Sequence, residues 1–186
     1  MLFWPFFSSH TRAAVFASLI PGINIIRMLL MGLGIWKDDA TVKSFSRNGD
    51  YRELLRGPFC YACSLTFSTL YWRTSPIAIA SVCNMCAGDG VADMVGRKFG
   101  TRKLPYNKSK SYAGSIAMAA VGFVASLAFM LYFSFFGFIQ ESWTVVLGFL
   151  ITSLTSALVE SLPIHSVIDD NITVVLASVV VGELVF

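Results

Sequence analysis

Asp89, Asp93 and Arg97 follow one another at four-residue intervals in this sequence. On a helix that spacing puts all three on one face, and carboxylates one turn apart have Cβ atoms about 5–6 Å from each other. Such a pair suits Mg²⁺, a hard cation usually held by one or two carboxylates together with substrate phosphate oxygens. Arg97 adds a planar fork that matches a pair of phosphate oxygens. A basic loop follows, with Lys103, Asn107, Lys108 and Lys110, and then Ser109 and Ser111 as N-caps for a further helix. Gly114 and Ser115 fall in its first turn, where free N–H groups attract anions. Acids for a metal, then cations and a helix start, describe a nucleoside triphosphate site. A second reading makes the acids and Arg97 a stabilising ladder and the basic loop a contact for anionic lipid headgroups.

The elements that must position these groups are membrane helices. The 186 residues are 55% hydrophobic and only 13% charged, against about 25% charged in water-soluble domains, and the mean hydropathy is +0.68. Disorder and disulfide-rich secreted folds are excluded by the same composition. A spanning helix needs about 20 mainly apolar residues. Residues 115–137 and 143–163 meet this, while 58–72, 76–87 and 172–186 are short. Residues 13–36 are long enough but contain Pro21, Gly22 and Arg27, so a broken or bundle-packed helix is expected, with Arg27 paired or snorkelling. The expectation is an all-α, single-domain bundle of five or six membrane segments. Residues 1–7, apolar from the start, read as the second half of a helix, which predicts an N-terminally short form.

Charge placement sets the topology. Segments 37–56 and 97–110 hold eleven of the fourteen basic residues, and two crossings separate them. Both therefore lie on the inside face, and two further crossings return 164–171 to it. Asp89, Asp93, the basic loop, Asp169 and Asp170 are expected to converge there. Within 88–115, Gly88, Ala92, Gly96 and Gly100 form a strip of small residues that lets a neighbouring helix approach closely. Cys60, Cys63, Cys83 and Cys86 have a spacing formally like a zinc ribbon. Their place inside apolar segments reads better as small buried membrane residues. Glu160, near a membrane helix end, reads as functional, and His10 and His165 as isolated surface groups.

The stretch Cys86-Ala-Gly-Asp-Gly-Val-Ala-Asp-Met-Val-Gly-Arg-Lys-Phe-Gly100, with Lys103-Leu-Pro-Tyr-Asn107, Lys110-Ser111 and Gly114-Ser-Ile-Ala-Met118, resembles the plant phytol kinase and farnesol kinase family. Val159-Glu-Ser-Leu-Pro163, Ile168-Asp-Asp-Asn171, Pro21-Gly-Ile-Asn-Ile-Ile-Arg27 and Arg52-Glu-Leu-Leu-Arg-Gly-Pro58 extend the match over nearly the whole chain. It looks closer to the farnesol kinase-like members, and is distantly similar to dolichol kinases and phosphatidate cytidylyltransferases. The resemblance implies a chloroplast membrane enzyme of isoprenoid salvage that phosphorylates a prenyl alcohol, with CTP as donor, Mg²⁺ as cofactor and no nucleic-acid partner. Asp89 and Asp93 would then hold the metal, with Asp169 or Asp170 as a further contact. Arg97, Lys103, Lys108 and Lys110 would neutralise phosphate charge, and Asp89 or Asp170 would accept the alcohol proton. A cytidylyltransferase of the same superfamily, and a transporter or structural membrane subunit, are the rival readings.

Overall fold

The computed structural model describes residues 1–7, 10–46, 49–163 and 169–186. Arg47, His165 and Ile168 lie outside the described residues, as does most of the 164–171 loop. The described residues are all-α, with helices α1 (Thr11–Gly32), α2 (Asp39–Phe45), α3 (Gly57–Trp72), α4 (Pro76–Cys83), α5 (Gly90–Phe99), α6 (Tyr112–Phe135), α7 (Trp143–Ser161) and α8 (Asp170–Val185). A π-helical turn, Asn84–Asp89, joins α4 directly to α5.

Local chemistry starts most of these helices. Side-chain oxygens of Asp38, Ser75, Ser111, Ser142 and Asp169 accept backbone N–H groups in the first turns of α2, α4, α6, α7 and α8, satisfying donors with no partner inside the helix. Pro58 and Pro76 occupy opening positions, where a missing N–H costs nothing. α1 runs unbroken through Pro21, so of the two expected forms it takes the bundle-packed one. Its close packing on α3 supports it. Residues 1–7 form a short 3-10 helix, Trp4–Phe6, instead of the end of a longer helix. Trp4 is buried edge-on against Phe133.

α4 is the central element. Every residue from Ile77 to Cys83 is buried, as expected of a helix apolar on all sides, and α3, α6, α7 and α8 pack around it. The outer helices instead show apolar side chains to their surroundings, with Ile20 78%, Ile116 69% and Leu158 64% exposed. An apolar exterior on this scale is the surface of a bilayer-embedded bundle. α1, α6 and α7 are long and apolar enough to cross a membrane. α3 and α8 have 16 residues each, and α4 needs the π-helical turn to gain length.

The π-helical turn is pinned from inside. Asn84 is fully buried, accepting from Ser153 Oγ at 2.9 Å and donating to Ser156 and Ser178 hydroxyls at 3.4 and 3.3 Å. These bonds tie the turn to α7 and α8. Across from it, Gly122 of α6 leaves no room for a side chain, since a Cβ there would lie 2.2 Å from Asn84 Oδ1. The small-residue strip continues this contact. A Cβ on Gly88 would meet the Met118 carbonyl at 3.1 Å, and one on Gly114 the Ala92 carbonyl at 3.0 Å. α5 and α6 are thereby held backbone to backbone, and the four-residue spacing of Gly88, Ala92 and Gly96 is explained.

Among the cysteines only Cys83 is buried. Cys60 and Cys63 are half-buried, and Cys86 is exposed, which corrects the expectation of four buried residues. Cys86 sits on the outer side of the π-helical turn, where its Sγ lies 2.9 Å from the Tyr61 hydroxyl.

Candidate active site

One cavity of about 750 Å³ opens on the basic face of the bundle. The π-helical turn and α5 bring Asp89, Asp93 and Arg97 to it, and the following loop brings Lys103 and Lys110. Ser111, Gly114 and Ser115 line it from the start of α6, and Asp169 and Asp170 from the start of α8. Residues as far apart in sequence as Phe45 and Asn171 thus face one space, because the ends of α3, α7 and α8 and both ends of the 100–111 loop meet at the same side. The convergence expected from charge placement is present.

The acids differ in their partners. Asp93 is exposed and held by Arg97, whose Nε donates to Oδ1 at 2.8 Å and whose Nη2 donates to Oδ2. This is the ladder of the second reading, and it occupies the face that also lines the cavity. Asp169 Oδ1 accepts from the Asn171 backbone at 3.0 Å and its side chain at 2.7 Å, capping α8. Among the described residues, no hydrogen bond or ion pair engages the Asp89 carboxylate. Burial pushes its pKa up to about 6. Lys110 opposes the rise, while the charges of Glu160, Asp170 and Asp93 add to it.

Lys110 is held by two carboxylates. It donates to Asp170 Oδ2 at 2.8 Å and to Glu160 Oε1. Glu160 is only 3% exposed. Burial works against the charged ammonium, but the hydrogen bonds to the two carboxylates and their charges together outweigh it and hold the Lys110 pKa above the ordinary lysine value. Lys103 is exposed and pairs through its backbone with Ser111 in an isolated antiparallel bridge. That bridge folds the loop back onto itself.

Asn107 and Lys108 do not line the cavity. Asn107 is 5% exposed. Its amide donates to the Ser161 and Leu162 carbonyls at 3.0 and 3.3 Å, and its oxygen accepts from Ser109. It fastens the loop to the end of α7. Ser111, not Ser109, caps α6. The first-turn donors of α6 are also partly used: Tyr112 N–H goes to Arg102 O, Gly114 N–H to Ser111 Oγ and Ser115 N–H to Ser111 O. Anion attraction at this point therefore falls mainly to the lysines. Ser115 Oγ, by contrast, is buried with no hydrogen-bond partner among the described residues.

Glu53, Arg56 and Gly57 also line the cavity, contributed by a 3-10 helix, Tyr51–Leu55, and the turn into α3. Their roles were not assigned from the sequence, although they lie within a segment placed on this face by its charge. Among the described residues no three Asp, Glu, His or Cys side chains form a ready-made metal cage. The donor set still fits Mg²⁺ brought by phosphates, since that ion keeps several waters and takes one or two protein carboxylates. Asp89 has its oxygens uncommitted, and Asp93 and Asp169 line the same cavity.

Comparison with known proteins bears on this arrangement. The chain is 63% identical over 187 residues to a probable phytol kinase 2, chloroplastic, of Oryza sativa subsp. japonica, covering all of this chain and 62% of that protein. It is 62% identical over 186 residues to a probable phytol kinase 3, chloroplastic, of Glycine max, covering 58% of it. It is 60% identical over 187 residues to a farnesol kinase, chloroplastic, of Arabidopsis thaliana, covering 61%. The chain thus spans about three-fifths of the length of the curated relatives it matches. No family model and no solved structure matches it.

Proposed function

From a chain homologous along its whole length to the chloroplastic phytol kinase and farnesol kinase family, we propose a membrane enzyme that transfers the γ-phosphoryl group of CTP to a prenyl alcohol. Phytol, farnesol or geranylgeraniol is the acceptor, and a chloroplast membrane is the location. Six helical crossings in one domain carry the site: α1, α3, α4 continued to Ala87, α6, α7 and α8, with Asp89 beyond the crossing at the basic face. The supporting observation is the cavity in which Asp89, Asp93, Arg97, Lys103, Lys110 and Asp170 meet at the basic face.

Phosphoryl transfer asks a protein mainly for positioning and charge stabilisation. The alcohol oxygen bonds to the γ-phosphorus as the bond from that phosphorus to its bridging oxygen breaks, and CDP leaves. Asp89 and Asp93, with Asp169, would hold Mg²⁺, which would supply positive charge to the phosphate oxygens. Lys103 and Lys110 stabilise the charge that builds on the leaving diphosphate. Arg97 turns from Asp93 to the γ-phosphoryl oxygens. Ser115 Oγ offers a hydrogen bond at the cavity wall. Asp170, beside Lys110, accepts the alcohol proton, and the protein thereby needs no covalent nucleophile.

Membranes carrying this chain, given γ-labelled CTP, Mg²⁺ and each alcohol in turn, should yield labelled prenyl phosphate and CDP. An Asp89→Asn control should yield none. Release of diphosphate with transfer of CMP would replace this reading by a cytidylyltransferase. A folded chain that binds no nucleotide would replace it by a transporter or structural role.

A further inference from the structure

α3 leaves the cavity at Gly57 and Pro58 and runs away from the basic face, while the π-helical turn and α5 approach the cavity through Cys86 and Gly90. Both rest on α8. Ser64 Oγ of α3 donates to the Asn171 carbonyl at 3.0 Å, and Val174 and Val175 behind it are buried. α3 also packs on α4, and at most sparsely on the π-helical turn and on α5. The line between the two over α8 forms a seam that starts at the cavity lining of Gly57, Gly90 and Asn171. At the cavity end it is open, since a Cβ on Gly57 or on Gly90 would meet nothing within 4 Å. Four residues further in on each helix, the Tyr61 hydroxyl and Cys86 Sγ span the seam at 2.9 Å. Both side chains are exposed on its outer side.

We propose that this seam is the lateral entrance and chain subsite for the prenyl tail, with the Tyr61–Cys86 hydrogen bond as a latch that the tail displaces. The inference rests on the kinase reading. A prenyl alcohol must present its hydroxyl among the charges of the cavity while its hydrocarbon chain stays out of them, because burying apolar chain against charged groups gives no hydrophobic gain. The seam is continuous with the cavity at Gly57 and Gly90 and leads toward the lipid-facing surface, so one extended molecule satisfies both ends. Tyr61 and Cys86, at the narrow point, set how much bulk the chain can carry near its second isoprene unit.

The test uses the chain in lipid nanodiscs and a farnesol analogue with a diazirine on its tail. Light should attach the probe to the peptides containing Tyr61 and Cys86. Cys86→Trp, which fills the seam, should cut that labelling about tenfold or more while nucleotide affinity stays within about twofold, Cys86 lying outside the cavity lining. Tyr61→Phe removes the latch without adding volume and should raise labelling. It serves independently if the Trp variant fails to fold. Labelling spread over the outer faces of α1 and α6 and indifferent to both substitutions overturns the subsite. Seam labelling without prenyl phosphate formation would keep the subsite and sink the kinase reading. Phosphorylation without seam labelling would do the reverse.

Discussion

The Lys110 ammonium lies 2.8 Å from the Asp170 carboxylate, joining the loop before α6 to the first residue of α8. The same ammonium reaches Glu160 at the end of α7. Three elements that meet at the cavity are thus held by one cation. Because Glu160 is nearly sealed from solvent, removing its partner leaves a buried charge uncompensated, at a cost on the order of 3 kcal/mol. Lys110→Met is expected to lose about that much stability. Adding Glu160→Gln to it should recover at least 1 kcal/mol, and unfolding of the single and double variants measures the coupling. Strictly additive effects would remove the pair from the account. The Lys110 pKa lies above its ordinary value, so the stabilisation is fully present below pH 10.5 and is lost only as pH rises through the folded value.

Asp89 has the opposite sign. Its folded pKa of about 6 lies above the ordinary 3.8, so between these values the folded chain holds a proton that the unfolded chain has released. Stability then falls as pH rises from about 4 to 6 and stays reduced above that. Asp89→Asn should be more stable than the natural sequence at pH 7.5 by about 1–2 kcal/mol, discounting for partial exposure. The difference should vanish toward pH 4. Phosphorylation should be abolished in the same variant. Thermal unfolding across this pH range, without added metal, checks the first claim, and a variant less stable at every pH would contradict it.

The acids and cations of the cavity were legible from spacing and charge because period-four patterns and the positive-inside rule act locally. Topology followed from counting crossings, and so the approach of Asp170 to the basic loop was foreseeable. Other features depend on three-dimensional packing. Asn107 looks like a polar residue in a basic loop until its amide is found on the Ser161 and Leu162 carbonyls. Nothing in the spelling Asn84–Asp89 announces a π-helical turn, since its extra residue is stabilised by Asn84 bonding to serines on α7 and α8. Pro21 suggests a break by its local chemistry, which the packing of α1 on α3 overrides. Glu53 and Arg56 reach the cavity from a 3-10 helix and the turn after it, which are too short to carry a periodic signal.

Two glycines separate close packing from mere helix composition. A Cβ on Gly122 would press to 2.2 Å on Asn84 Oδ1, whereas one on Gly22 would touch nothing within 4 Å. Gly122→Ala should cost about 2 kcal/mol by overpacking and lower the phosphorylation rate, because the displaced Asn84 holds the turn that carries Asp89. Gly22→Ala, inside α1, should instead add about 0.5–1 kcal/mol. Melting temperatures in one detergent rank the two. Equal effects would mean that the π-helical turn yields freely.

Arg97 and Asp93 form an ion pair with both side chains more than half in solvent or close to it, at 66% and 50% exposure. Pairs so exposed contribute little to stability because water and salt screen them and long side chains lose freedom in holding one geometry. If the pair were only a ladder at the end of α5, its loss would be silent. The phosphate role predicts a different outcome. Arg97→Ala should leave the melting temperature unchanged within error while raising the nucleotide KM about tenfold or more, the cost of a lost charge-assisted fork. Arg97→Lys should recover little of this, since an ammonium cannot form two parallel hydrogen bonds. A normal nucleotide KM in Arg97→Ala would return the residue to the surface and leave the cavity's cationic work to Lys103 and Lys110.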